Sequence, residues 1–241
     1  MKNILVTGGT SGIGLSVVHR MLADGYNVWS LGRNAAKLEE LRSVWGERFN
    51  FLSFDLNKFE NYSGFVQELP NFDGLIFSAG VVENNPLKFF SQEKYRKLLA
   101  VNQDAPLLMM AELVRKNKIS RSASIVFLSS ITGGVIGMKG IAPYAASKAA
   151  LIGATKVIAL ELAHKNIRVN CVAPGMVNTE LVRNARYLSE ENKKVDMARY
   201  PLGNRYAEPD EVAGVISFLI GKDSSFVTGQ TIVVDGGFTL N

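Results

Sequence analysis

The sequence predicts an α/β fold: one domain over residues 1–241, built on a doubly wound, seven-stranded parallel sheet with helices on both faces. Three observations predict it. Short runs nearly continuous in apolar residues, such as Ile125-Val126-Phe127-Leu128, suit strands covered on both faces. These runs alternate with helical patterns, which implies right-handed crossovers between parallel strands. The first strand also runs straight into a glycine-rich turn, Thr7-Gly8-Gly9-Thr10-Ser11-Gly12-Ile13-Gly14, with a helix behind it.

The elements follow in order. Asn3–Thr7 reads as the first strand and Gly12–Asp24 as the first helix, with Ile13, Val17 and Met21 at helical spacing. Strands are expected at Asn27–Gly32, Asn50–Asp55, Asp73–Ser78 and Ser124–Ser129. Tyr144–His164 is a long helix rich in small residues, and Ile167–Val172 is the sixth strand. The charged stretch from Asn178 to Gly203 is long for a loop in a compact domain and is expected to form a lid over a ligand. Glu208-Pro209-Asp210-Glu211 opens the last helix, with an early proline and acids at the positive end of the dipole. Thr231–Val234 completes the sheet.

Composition narrows the function classes. A chain of 241 residues with 47% hydrophobic and 20% charged residues buries a substantial core and is not a disordered chain. No window approaches a membrane-spanning length of apolar residues, and the apolar run near Met1 is too short for a signal peptide. The single cysteine, Cys171, excludes an intrachain disulfide framework and reads as packing in a buried strand. With only His19 and His164 beside it, no metal site is expected. A soluble protein of a reducing compartment, the cytoplasm, is the expectation. The net charge is +5, but the basic residues are dispersed, which suits a solvated surface better than a nucleic-acid footprint.

The glycine-rich turn has the physical logic of dinucleotide binding. Gly8, Gly12 and Gly14 permit a tight turn and close backbone approach to a pyrophosphate, and Thr10, Ser11 and Ile13 complete the loop. The helix behind it offers free N–H groups to phosphate. The second strand ends in Gly32-Arg33-Asn34 with no acid for a ribose diol. Gly32 leaves space, and the Arg33 guanidinium suits a 2′-phosphate, helped by Asn34 or Ser11, so NADP(H) is expected over NAD(H). Asp55-Leu56 closes the third strand, where a carboxylate accepts from an adenine amino group or simply opens a turn.

Ser130 ends the fifth strand, and Tyr144 and Lys148 stand at i and i+4 on one helix face. An ammonium beside a phenol favours phenolate and makes tyrosine a usable acid or base near neutral pH.

These motifs, over essentially the whole chain, resemble those of the short-chain dehydrogenase/reductase family of the single-domain, Rossmann-type kind. The resemblance implies that Ser130, Tyr144 and Lys148 are catalytic, and that Asn102 in Ala100-Val101-Asn102 holds a water in the proton relay. It implies that Pro174, Gly175, Val177 and Thr179 face the nicotinamide. The late segments Pro201–Arg205 and Thr228–Gly237 resemble the subgroup around 3-oxoacyl-[acyl-carrier-protein] reductase. Two departures stand out. Phe77-Ser78-Ala79-Gly80 replaces the family's Asn-Asn-Ala-Gly, so Ser78, Ala79 and Gly80 are expected to keep an altered cofactor contact. The loop before Tyr144 is slightly longer and carries Met138-Lys139-Gly140-Ile141, expected at the substrate mouth. The implied activity is NADPH-dependent reduction of a ketone, a 3-oxoacyl thioester or similar small carbonyl compound, with an acyl carrier protein as a partner through Arg121 and Lys165. A homotetramer, or else a homodimer, is implied through the long helix. The alternatives are oxidation of an alcohol, sugar or polyol at the same site, and a non-catalytic NADP(H) sensor. All four polar residues being present favours an enzyme over a sensor.

Overall fold

The computed structural model describes residues 1–33, 35–84, 86–183 and 190–240. The strands are β1 Asn3–Thr7, β2 Asn27–Gly32, β3 Phe49–Ser53, β4 Phe72–Phe77, β5 Ile119–Leu128, β6 Arg168–Pro174 and β7 Thr231–Val234. The α-helices among the described residues are α1 Gly12–Ala23, α2 Ala35–Trp45, α3 Tyr62–Gln67, α4 Gln92–Leu99, α5 Ala105–Arg115, α6 Ala142–Leu162, α7 Glu180–Arg183, α8 Glu190–Met197 and α9 Pro209–Ile220. The strands form one parallel sheet in the order β3-β2-β1-β4-β5-β6-β7. This is the expected seven-stranded, doubly wound, single-domain fold. No helix of the described residues is long and apolar enough to cross a membrane.

Each face of the sheet carries its own core. In β1, Ile4 and Val6 face the α1–α9 side, where they meet Val17, Met21, Val212 and Ile216. Leu5 points the other way, toward Met109 and Leu113 of α5 and Leu151 of α6. The period of two along the strand sorts the side chains between the layers. Val17, Val18, Met21 and Leu22 are fully buried, each worth about 1.5–3 kcal/mol of apolar burial.

Four strands differ from expectation: β3 is Phe49–Ser53 and ends before Asp55, and β4 runs one residue earlier at Phe72–Phe77. β5 starts at Ile119, five residues before the expected Ser124, and its pairing with β4 shifts between Phe72 and Gly74. Ser122 lies in the left-handed region at φ 61°, so a bulge absorbs the polar Ser120-Arg121-Ser122 that hid this start. β6 continues to Pro174, where proline ends the ladder it cannot extend.

The topology places the site. Chain order reverses between β1 and β4, where crevices open at the carboxyl ends of parallel strands. The glycine turn, Ser78–Gly80 and Ser130 follow such ends, and Pro174 is itself the end of β6.

Candidate active site

A cavity of about 780 Å³ lies along these strand ends. It is lined by Gly8, Thr10–Gly14, Arg33, Asp55, Leu56, Ser78–Gly80, Ser130, Tyr144, Lys148, Pro174, Gly175, Val177 and Thr179. Two expected residues stand apart. Asn34 lies outside the described residues, and Asn102 is fully buried behind the wall.

The α1 end is built for an anion. Gly8 (φ 74°) and Gly12 (φ 51°) adopt backbones that disfavour other residues. A Cβ on Gly14 would collide with the Gly8 carbonyl oxygen. Ser11 is the N-cap but makes no side-chain capping bond, and the first turn of α1 holds no acid. The helix therefore presents free N–H groups and its positive end to the cavity. Thr179 folds over Gly12, where an added Cβ would sit 3.1 Å from its methyl. This cradle fits the pyrophosphate of a dinucleotide.

Three details add to the sequence reading. The space at Gly32 belongs to the protein itself: a Cβ there would meet the Thr10 methyl at 2.7 Å. The Ser78 hydroxyl donates to the Thr7 carbonyl at 2.5 Å, and Ala79 N–H donates to the Thr7 hydroxyl at 3.3 Å, so Ser78 clamps β4 to β1. Asp55 Oδ1 accepts from Asn57 N at 3.0 Å, which makes it the turn-opening acid as well as a cavity residue.

The polar wall is compact. Lys148 is 3% exposed, and its Nζ donates to the Leu128 carbonyl at 2.8 Å and lies 5.7 Å from the centre of the Tyr144 ring. Burial pulls its pKa down to about 8. One carbonyl acceptor leaves two of the three ammonium hydrogens for the cavity, as ribose hydroxyls would need. Gly80 keeps that approach open, since a Cβ would stand 3.2 Å from Lys148 Nζ. Gly133 packs on the α6 backbone, where a Cβ would lie 2.9 Å from the Lys148 carbonyl carbon. The Ser130 hydroxyl accepts from Thr132 N at 3.3 Å and from the Thr132 hydroxyl at 3.0 Å. Both lone pairs are engaged, so the Ser130 hydrogen is directed outward as a donor.

Asn102 sits in a π-helical turn, Ala100–Asp104, between α4 and α5. Its amide makes a two-way clamp on Val81: Oδ1 accepts from Val81 N and Nδ2 donates to Val81 O, each at 2.8 Å. Nδ2 also donates to the Ser147 hydroxyl at 3.2 Å. Both amide hydrogens are thereby used within the protein, and the side chain holds the β4 exit against α6.

Met138, Lys139 and Ile141 line the cavity, as expected for the substrate mouth. Gly140 does not; it packs on the Asn84 side chain, which a Cβ there would strike. From the 178–203 stretch, Glu180, Val182, Asn192, Val195, Asp196, Arg199 and Tyr200 reach the cavity, while 184–189 lie outside the described residues. Cys171 is fully buried, as a packing residue should be.

Sequence reasoning missed Thr132, Gly133 and Phe238, and had Tyr200 only as part of the 178–203 stretch. Thr132 and Gly133 sit within reach of the Ser130 motif. Tyr200 and Phe238 carry no motif, because their partners come from other segments.

Known proteins resemble this chain over nearly its whole length. A family model described as Enoyl-(Acyl carrier protein) reductase matches residues 8–239. The chain is 32% identical over 239 residues to 3-oxoacyl-[acyl-carrier-protein] reductase FabG of Rickettsia felis, covering 99% of this chain and 97% of that one. Among solved structures, a short chain dehydrogenase family protein from Francisella tularensis superposes with TM-score 0.90 at 33% identity, over 100% of both chains. ElxO with NADP bound superposes with TM-score 0.88 at 29% identity, again over 100% of both.

Proposed function

The chain belongs to the short-chain dehydrogenase/reductase family of oxidoreductases acting on carbonyl and alcohol groups, and on that premise we propose that it is an NADP(H)-dependent ketone reductase, acting on a 3-oxoacyl thioester or similar small carbonyl compound. The observation that carries this reading is the wall of Ser130, Tyr144 and Lys148 on one cavity with the glycine cradle. NADPH, when bound, supplies the hydride. Ser130, its lone pairs engaged by Thr132, donates a hydrogen bond to the substrate carbonyl oxygen. Tyr144 protonates that oxygen as general acid. Lys148 holds its buried charge beside the Tyr144 ring and bonds ribose hydroxyls. Asn102 anchors Val81 and thereby the floor beside Lys148. The 178–203 stretch serves as the lid.

Arg33, on the cavity rim and exposed, is the proposed 2′-phosphate ligand. NADPH oxidation by an acetoacetyl thioester, followed at 340 nm, tests the reading. We expect turnover with NADPH to exceed that with NADH. Arg33→Ala should raise the NADPH KM about 10–100-fold, as for loss of a charge-assisted pair, with little change for NADH. Equal use of both cofactors by wild type removes Arg33 from this role. NADPH binding without thioester turnover would move the substrate to sugars, polyols or other ketones. Asn84, Asn192 and Lys139 on the cavity wall would suit such hydroxylated molecules.

A homotetramer is the proposed assembly. Ala146, Ala149, Gly153, Val157 and Leu160 form an exposed stripe on α6, with Val157 55% and Leu160 80% exposed. Small residues flanked by bare apolar ones suit close helix pairing. Light scattering should return about four times the 26.3 kDa chain mass; a monomer would refute the assembly. The acyl carrier protein remains the proposed protein partner, and the cytoplasm the proposed compartment.

A further inference from the structure

Beyond the four polar residues, one side chain ties the lid segment to the wall opposite them. Tyr200 follows α8 and is 2% exposed. Its phenol oxygen accepts from Met176 N–H at 3.0 Å. The ring is held between Tyr206, edge-on at 5.6 Å, and Phe238 at 4.7 Å. Gly175 is tight against it, since a Cβ there would lie 3.3 Å from the ring. The same Met176 accepts from Ala207 N–H through its carbonyl at 3.1 Å, and Gly175 N–H donates to the Val234 carbonyl at 2.9 Å.

The Pro174–Val177 wall is thus gripped on three sides: by β7, by Ala207, and by a residue at the root of α8. The other two grips are backbone to backbone. The Tyr200 grip is a single side chain, and α8 and its exit carry Asn192, Val195, Asp196 and Arg199 over the same cavity.

We infer that Tyr200 is a positioning residue: it fixes the Met176 amide, and through it the nicotinamide-facing wall, in register with the lid. This rests on the dinucleotide reading above. Tyr200→Phe keeps the ring and its packing but removes the acceptor, so Met176 N–H is left unpaired in a half-buried wall.

The test uses the whole protein and two probes, NADPH and adenosine 2′,5′-bisphosphate, which lacks the nicotinamide half. In Tyr200→Phe, the NADPH Kd should rise about 10-fold, the size expected for one orphaned, half-buried amide. The bisphosphate Kd should stay within about twofold, because its contacts lie at Gly8–Gly14 and Arg33. Amide hydrogen exchange should quicken at 175–177 and not in β5, a readout independent of any ligand. Tyr206→Phe, which removes the Tyr206–Asp196 bond of 3.0 Å in the same cluster, should leave both affinities and this exchange unchanged. Equal weakening of both probes, or unchanged exchange at 175–177, overturns the positioning role. Bisphosphate binding by wild type with no gain for NADPH overturns the nicotinamide assignment itself, and the inference with it.

Discussion

Tyr144→Phe is expected to lower kcat about 10²–10⁴-fold, the range for loss of a positioned general acid. The change removes one oxygen from a half-buried side chain, so the cavity keeps its shape. The proposed cofactor contacts at the glycine cradle and at Lys148 lie elsewhere on the wall. NADPH affinity, read from its fluorescence on binding, should therefore stay within about twofold. A loss confined to kcat identifies a group used only in the transition state. Wild-type turnover in this variant would take Tyr144 out of the reaction.

Lys148→Met is expected to abolish turnover and to stabilise the ligand-free protein at neutral pH. Met keeps the apolar stem and drops the charge. The folded ammonium has its pKa pulled down to about 8 by burial, against an ordinary value of 10.5. Between those values the unfolded chain binds the proton that the folded chain has released. Stability from this site therefore rises with pH across that window, and below it the buried charge is a standing penalty. The pH-dependent part is on the order of 3 kcal/mol. The variant also orphans the Leu128 carbonyl, which subtracts about 1–2 kcal/mol. A net gain of about 1–2 kcal/mol at pH 7 should shrink and reverse by pH 10.5 in urea titrations. A difference that stays constant with pH would mean that the buried ammonium carries no such penalty. The enzyme keeps the lysine because the same burial that weakens the fold leaves its charge unscreened beside Tyr144.

The cavity brings together residues that the sequence separates by more than 160 positions, from Gly8 to Thr179. Their legibility was uneven. Gly8, Gly12 and Gly14 announce themselves because a tight turn before a helix leaves few other residues possible. Tyr144 and Lys148 were legible because helix geometry alone puts i and i+4 on one face. Ser78 was legible as a site position but not as a clamp, since its partner, the Thr7 carbonyl, is 71 residues away. Asn102 was legible as a motif member, yet the hydrogen bonds to Val81 and Ser147 depend on how a π turn rotates it. The early start of β5 was hidden because polar residues entered the sheet through a bulge.

By itself, the sequence determined the alternation of strands and helices, the seven-stranded parallel sheet, the glycine cradle and the polar pair on α6. Each follows from local periodicity or from backbone conformations open to few residues, and these act over a few positions of chain. The tertiary structure alone decided which polar atoms remain available to a ligand. Lys148 keeps two hydrogens because, among the described residues, only Leu128 accepts from it; Asn102 has none left; Ser130 donates outward because Thr132 fills its lone pairs; Tyr200 is held by Met176. A buried polar group is governed by partners supplied in three dimensions, and desolvation makes each such pairing obligatory.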